Sequence, residues 1–188
     1  MDIGTIIIVV SAPWFASEFF LARRRRSGEA DERHDKSSMG TIWVAIAIGV
    51  GAGVFLGMFG IGYLRDEALP LQISGIVMIL AGIILRWIAI LTLKSQFTVD
   101  VAITSGHRLI THGIYRQVRH PAYAGSLLSF LGLGLAFANS LSVIVIMGCV
   151  LPAFLHRMKI EERVLAKKFG EEYQHYSSST RRLIPFLY

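Results

Sequence analysis

Long apolar runs between short charged blocks are the feature that most constrains this fold. The runs occupy residues 3–22, 41–64, 69–93 and 121–155. A helix of about 20 apolar residues crosses the hydrocarbon core of a bilayer, and the first three runs have that length. Charged residues make up 17% of the 188 residues, whereas a soluble domain carries about 25%. The sequence therefore predicts an all-α integral membrane protein.

The fourth run, residues 121–155, is too long for one span and short for two. The polar pair Asn139-Ser140 interrupts it near the middle. We predict a tight helical hairpin with arms of about 17 residues, the lower limit for spanning, and a tip at Asn139. The chain then has about five transmembrane helices. Three form an N-terminal membrane region, residues 1–93, and two belong to a C-terminal region, residues 94–188.

Lys and Arg residues predict the orientation of these spans. Of the 19 in the chain, six lie in residues 23–40, four in residues 94–120 and seven in residues 156–188. Five crossings place all three segments on one side, and cytoplasmic loops are the ones enriched in Lys and Arg. We therefore predict a cytoplasmic C-terminus and an N-terminus on the opposite side. Membrane topology also accounts for the net charge of +6, so no nucleic-acid partner is predicted.

Two polar segments, residues 105–123 and 157–173, carry the side chains that could perform chemistry. They flank the predicted hairpin, whose two ends must lie close together, so we expect them to form one cytoplasmic pocket. Arg157 and Glu161 are four residues apart and share a helix face, while Glu162 is turned about 100° away. The alternative for Arg157 and Glu161 is a solvated salt bridge, which contributes little to stability.

His120 and Pro121 stand at the predicted start of the hairpin. Proline is favoured in the first turn of a helix, and the backbone N–H groups of a helix start bind anionic groups. A histidine here could also cap the helix or lie at the membrane interface. Arg86, inside the third run, has two alternatives as well: it faces the protein interior or extends towards the cytoplasm.

The residue spacings of common metal and nucleotide sites do not occur in the sequence. No CxxC or HExxH pattern is found, so a metal site is not predicted. No GxGxxG follows a strand, which argues against a soluble Rossmann cofactor site.

In the two polar segments the sequence resembles the isoprenylcysteine carboxyl methyltransferase family of integral membrane enzymes, and it is similar to the related phospholipid methyltransferases. The matching blocks are residues 106–110 (GHRLI), 113–116 (GIYR), 119–125 (RHPAYAG), Arg157 with Glu161 and Glu162, residues 169–173 (FGEEY) and residues 183–185 (LIP). Their order and spacing make the resemblance specific, although each block alone is weak. It covers roughly the C-terminal half of the chain.

The resemblance implies that residues 94–188 form a catalytic region that binds S-adenosyl-L-methionine as methyl donor. The implied cofactor-binding residues are His107, Arg108, Leu109, Ile110, Tyr115, His120, Pro121, Ala122, Tyr123 and Glu161. Arg157 is the implied substrate-binding residue, and Arg157 and Glu161 are the implied catalytic pair. The implied partners are membrane lipids and a lipophilic substrate, prenylated or another lipid.

The most favoured reaction is O-methylation of a prenylcysteine-type carboxylate. A carboxylate is already ionised at neutral pH and needs no general base, and Arg157 could hold one of its oxygens while the other attacks. Glu161 could pair with the ammonium of the donor, and backbone N–H groups near His120 could hold the donor's carboxylate. Three alternatives remain: an NADPH-dependent enzyme similar to the sterol reductases, a phospholipid N-methyltransferase, and a non-enzymatic membrane protein of the same fold.

Overall fold

The computed structural model of the protein describes residues 3–24, 32–33, 37–96, 102–103 and 108–185. The helices are α1 (Ile3–Arg24), α2 (Ser37–Phe59), α3 (Ala68–Leu93), α4 (Pro121–Ala136), α5 (Ser140–Phe169) and α6 (Glu171–Ser179). Two short strands, β1 (Glu32–Arg33) and β2 (Ala102–Ile103), form one antiparallel ladder. The fold is helical, as the apolar runs predict, whereas the runs do not predict this ladder.

Several of the helices are suited to a membrane. Within the described residues, α2, α3 and α5 are long and apolar enough to cross a bilayer, whereas α1 and α4 supply shorter apolar helices. Together with the apolar runs, these helices are those of an integral membrane protein. The number of crossings stays a prediction.

The end of α2 differs from the apolar run that predicts it. The run continues to residue 64, but the helix ends at Phe59. Gly60 and Gly62 have φ angles of +66° and +84°, a region that glycine enters at little cost and that does not continue a right-handed helix. Residues 60–67 therefore connect α2 to α3 as an irregular loop, although residues 60–64 carry no charge and continue the apolar run.

Glycine lets α3 and α4 pack at very short range. A Cβ atom placed on Gly125 would lie 2.6 Å from the carbonyl oxygen of Gly82, and one on Gly132 would lie 2.6 Å from that of Gly75. Between these contacts the Ser129 hydroxyl donates to the carbonyl of Ile79 at 3.2 Å. Close backbone approach is how small residues hold membrane helices together, and here it sets the position of α4 against α3.

Glycine also sets the contact between α2 and α5. Gly49, Gly53 and Gly57 recur every four residues, so they share one face of α2. Added Cβ atoms would lie 2.9 Å from Cys149 Cβ at Gly49 and 2.7 Å from the Ile146 side chain at Gly53. Gly49 and Gly53 therefore let α2 pack closely against α5.

The turn from α4 to α5 meets the α2–α3 loop at one end of the bundle. Asn139 accepts a hydrogen bond from the amide of Ser142 at 3.0 Å and so caps α5. The Asn139 side chain also donates to the carbonyl of Ile61 at 2.7 Å, and the amide of Leu64 donates to the carbonyl of Ala138 at 2.9 Å. The start of α2 and the start of α4 consequently lie towards the other end, beside the second half of α5.

Candidate active site

Arg157 is a buried cation at the centre of the candidate site. Its residue is 1% exposed, and its Nη1 atom donates to the Ser38 hydroxyl at 2.6 Å. Its Nε atom donates to the Tyr123 hydroxyl at 3.4 Å, which in turn donates to Glu161 Oε2 at 2.7 Å. The side chains predicted to be the catalytic pair are therefore linked through Tyr123, and they are not a solvated surface pair.

Aromatic packing holds Tyr123 in this position. The rings of His120 and Tyr123 stack with centroids 5.5 Å apart. On its other side Tyr123 meets Phe154 of α5 edge-on, with centroids 5.6 Å apart. Such contacts limit the ring to one orientation, so the Tyr123 hydroxyl is directed at Arg157 and Glu161.

Glu162 contacts three basic side chains, and no pattern in the sequence predicts these contacts. Its Oε1 atom lies 3.2 Å from both Arg119 Nε and His120 Nε2, and its Oε2 atom lies 2.5 Å from Arg182 Nη2. The predicted turn of about 100° away from Glu161 is consistent with these different partners. Glu162 faces residues 119–120 and the C-terminal tail, which folds back towards α5.

Residues 180–183, which we call the C-terminal strap, run beside residues 117–120. The amides of Arg119 and His120 donate to the carbonyls of Arg181 and Arg182 at 2.8 and 3.1 Å, and the amide of Arg181 donates to the carbonyl of Gln117 at 3.1 Å. This pairing narrows the expectation that backbone N–H groups near His120 hold the donor's carboxylate. The amides of Arg119 and His120 are engaged by the strap, so an anionic donor group would have to use amides further along α4.

The other predicted cofactor residues fall into two sets. Ile110, Tyr115 and Ala122 pack together around Ala89 of α3, and Pro121 occupies the first turn of α4. Arg108, by contrast, is exposed, with its amide bonded to Gln96 Oε1 at 2.8 Å. Leu109 is half-buried beside it. His107 lies outside the described residues.

Two buried tyrosines join the first of these sets to α6. The Tyr115 hydroxyl donates to the carbonyl of Ala89 at 3.5 Å, and the Tyr176 hydroxyl donates to the carbonyl of Tyr115 at 2.8 Å. Burial raises the pKa of the Tyr115 hydroxyl well above its usual value and that of the Tyr176 hydroxyl to about 12. Both therefore remain neutral hydrogen-bond donors at physiological pH.

Arg86 faces the protein interior, which decides between the two alternatives left by the sequence. Its guanidinium forms an ion pair with Glu18 of α1, in which Nη2 lies 2.5 Å from Oε2. Its Nη1 atom also donates to the carbonyl of Ala122 at 3.3 Å. The pair ties α1 to α3 next to the first turn of α4.

Among the described residues, no group of three or more His, Cys, Asp or Glu side chains is placed so that it could bind a metal ion.

Comparison with known proteins identifies this arrangement. Residues 75–167 match the model of the isoprenylcysteine carboxyl methyltransferase (ICMT) family. Over these residues the chain is similar to the ICMT family. The matched region contains Tyr115, His120, Tyr123, Arg157 and Glu161, and it excludes α1, α2 and the C-terminal strap.

Relatives and one solved structure extend the comparison. A probable protein-S-isoprenylcysteine O-methyltransferase of Oryza sativa subsp. indica is 34% identical over 115 residues, which cover 60% of each chain. Protein-S-isoprenylcysteine O-methyltransferase A of Arabidopsis thaliana is 35% identical over 60% of this chain and 58% of its own. The chain thus spans about 60% of the length of these ICMT relatives.

The solved structure is that of the eukaryotic intramembrane Ras methyltransferase ICMT. It is 27% identical to this chain with a TM-score of 0.58, and the alignment covers 98% of this chain and 67% of that one. The likeness therefore includes α1 and α2, which lie outside the region matched by the ICMT family model.

Proposed function

We propose that this chain is an S-adenosyl-L-methionine-dependent methyltransferase that O-methylates a prenylcysteine-type carboxylate on a lipophilic acceptor. The match of residues 75–167 to the ICMT family model supports the reaction class. The single observation that carries the proposal is the line of hydrogen bonds from Arg157 through Tyr123 to Glu161. These bonds place the Arg157 cation, which could bind an anionic acceptor, near the Glu161 carboxylate, which could bind a cationic donor.

The residues around Glu161 fit the chemistry of the donor. Glu161 is a half-buried carboxylate beside the Tyr123 ring, and such a carboxylate makes strong charge-assisted hydrogen bonds to an ammonium group. S-adenosyl-L-methionine, when bound, supplies a methyl group on a positively charged sulfur. Tyr123 and His120 would form an aromatic wall of this pocket, and Ile110, Tyr115 and Ala122 an apolar one.

Arg157 would act on the acceptor. A guanidinium that binds one carboxylate oxygen leaves the other oxygen with its lone pair free to attack. No proton has to be removed, because the acceptor carboxylate is already ionised at neutral pH. Correct alignment of the attacking oxygen with the methyl group can then supply several kcal/mol of the rate enhancement.

We also propose that α4 and α5 form a transmembrane hairpin, that the chain crosses five times, and that the site and the C-terminus are cytoplasmic. Two observations support this topology. The α2–α3 loop and the α4–α5 turn meet at one end of the bundle, as two loops on the same side must. The Lys and Arg residues collect in the segments assigned to the other side.

A methyl-transfer assay on the purified protein tests the function. A prenylated cysteine with a free carboxylate is incubated with radiolabelled donor, and the matched control is the same compound as its carboxamide. We expect label in the carboxylate compound alone. Label appearing in phospholipid amines would favour the N-methyltransferase, and the proposal fails if the carboxylate compound stays unlabelled.

Titration calorimetry separates the remaining alternatives. We expect S-adenosylhomocysteine, the product form of the donor, to bind and NADPH not to bind. Binding of NADPH instead would indicate a reductase, and binding of neither ligand would indicate a non-enzymatic protein.

A further inference from the structure

Ser38, in the first turn of α2, contacts the buried guanidinium of Arg157. The residue is 2% exposed, and its hydroxyl oxygen accepts a hydrogen bond from Arg157 Nη1 at 2.6 Å. It lies outside the region matched by the family model and in the half of the chain predicted to be a membrane region. The contact thus joins a buried side chain of α2 to the buried cation at the centre of the candidate site.

We propose that Ser38 is a positioning residue that fixes the plane of the Arg157 guanidinium for the acceptor carboxylate. The inference rests on the proposed function. A guanidinium is flat and presents its donors in a rigid fork. Two contacts on different nitrogens, Nη1 to Ser38 and Nε to Tyr123, therefore restrain the plane of the guanidinium more than either contact alone.

The packing of α2 against α5 determines where Ser38 lies. At the other end of the same helix pair, the Ser142 hydroxyl donates to the carbonyl of Gly53 at 2.8 Å. Residues 38 and 53 are 15 positions apart, and so are residues 142 and 157. At 1.5 Å per residue, both separations are about 22 Å. The close packing at Gly49 and Gly53 holds the two antiparallel helices in register, and the equal spacing puts one polar contact near each end of their interface.

This register makes α2 part of the reaction centre. A slide or rotation of α2 along α5 would remove the Ser38 hydroxyl from Arg157 and leave a buried donor without that acceptor, which is costly. Helix α2 would then contribute to turnover through the Ser38 hydroxyl, in addition to its part in the membrane bundle.

Ser38→Ala tests the proposal, with Ser142→Ala as the matched control. Both serines are buried and both bond α2 to α5, but only Ser38 touches Arg157. In the full-length protein we expect Ser38→Ala to lower kcat for the prenylcysteine carboxylate about tenfold or more, with S-adenosylhomocysteine affinity unchanged. Ser142→Ala should lower the thermal midpoint to a similar extent and keep the kcat of the folded protein.

Ser38→Thr provides the rescue, because it restores a hydroxyl at the same position, and kcat should return towards the wild-type value. Equal losses of kcat in Ser38→Ala and Ser142→Ala, or an unchanged kcat in Ser38→Ala, overturn the role of Ser38 while the methyltransferase function stands. A wild-type protein that transfers no methyl group to the carboxylate overturns both.

Discussion

Glu161 and Glu162 are adjacent in the chain, yet they serve different parts of the site. Glu161 accepts from the Tyr123 hydroxyl and faces the proposed donor pocket. Glu162 gathers Arg119, His120 and Arg182. A helix turns by about 100° per residue, so neighbouring carboxylates can serve a ligand on one side and the protein framework on the other.

Removing the carboxylate of Glu161 should weaken donor binding selectively. We expect Glu161→Ala to reduce S-adenosylhomocysteine affinity by roughly tenfold or more, since a hydrogen bond to a charged group contributes about 1.5–3 kcal/mol. Titration calorimetry measures the affinity. Glu171→Ala, an exposed position at the start of α6, is the control. An affinity equal to that of the wild type would show that Glu161 has another role.

Neutralising Glu162 should affect the framework first. Its side chain is 14% exposed, and Gln in its place cannot compensate the charges of Arg119 and Arg182. We expect Glu162→Gln to lower the free energy of unfolding by about 2 kcal/mol and to weaken S-adenosylhomocysteine binding, because His120 loses its anchor. Glu162→Asp should recover part of both. Glu172→Gln, at an exposed position, serves as control. An unaltered melting curve for Glu162→Gln would show that the contacts of Glu162 do not stabilise the fold.

At the scale of the elements, the contact between α3 and α4 depends on positions without side chains. A Cβ on Gly82 would lie 2.5 Å from the carbonyl oxygen of Gly125, so one helix has to move. We expect Gly82→Ala to destabilise the protein by about 1–3 kcal/mol in thermal unfolding. Gly148→Ala is the control, since a Cβ there has no neighbour within 4 Å. Equal stability of the two variants would mean that α3 and α4 tolerate separation.

The sequence predicts these elements well where hydrophobicity alone decides. The run ending at residue 93 coincides with the end of α3, and Gly170 terminates α5 with a φ of +52°, as glycine after a helix indicates. The run that ends at residue 64 overestimates α2, because the conformations of Gly60 and Gly62, and not hydrophobicity, end that helix.

Only part of the candidate site can be predicted from the sequence, because some of its contacts join residues far apart in the chain. Arg157 and Glu161 share a helix face, and helical geometry brings them together. The contact of Arg157 with Ser38 spans 119 positions in the chain, and no local pattern reports it. The Arg182 contact with Glu162 likewise requires a tail that folds back. Adjacency to the LIP block at residues 183–185 was the one available signal for Arg182.

At the scale of the whole molecule, the site is assembled from the start of α2, the start of α4, the middle of α5 and the C-terminal strap. Ending the chain after Ser179 should therefore abolish S-adenosylhomocysteine binding, because residues 117–120 lose their backbone partners. Calorimetry on the truncated protein in detergent checks this. Arg181→Ala keeps the strap backbone and changes an exposed side chain, so it should bind normally. Full affinity in the truncated protein would show that the strap is dispensable.

The position of the strap has a consequence for biosynthesis. Residues 180–183 leave the ribosome after α1 to α6, when the membrane-spanning helices among them can already have been inserted. Until then Arg119 and His120 lack the carbonyls that their amides need, and Glu162 lacks Arg182. A nascent chain in the bilayer should consequently remain unable to bind the proposed methyl donor until residues 180–183 have emerged from the ribosome.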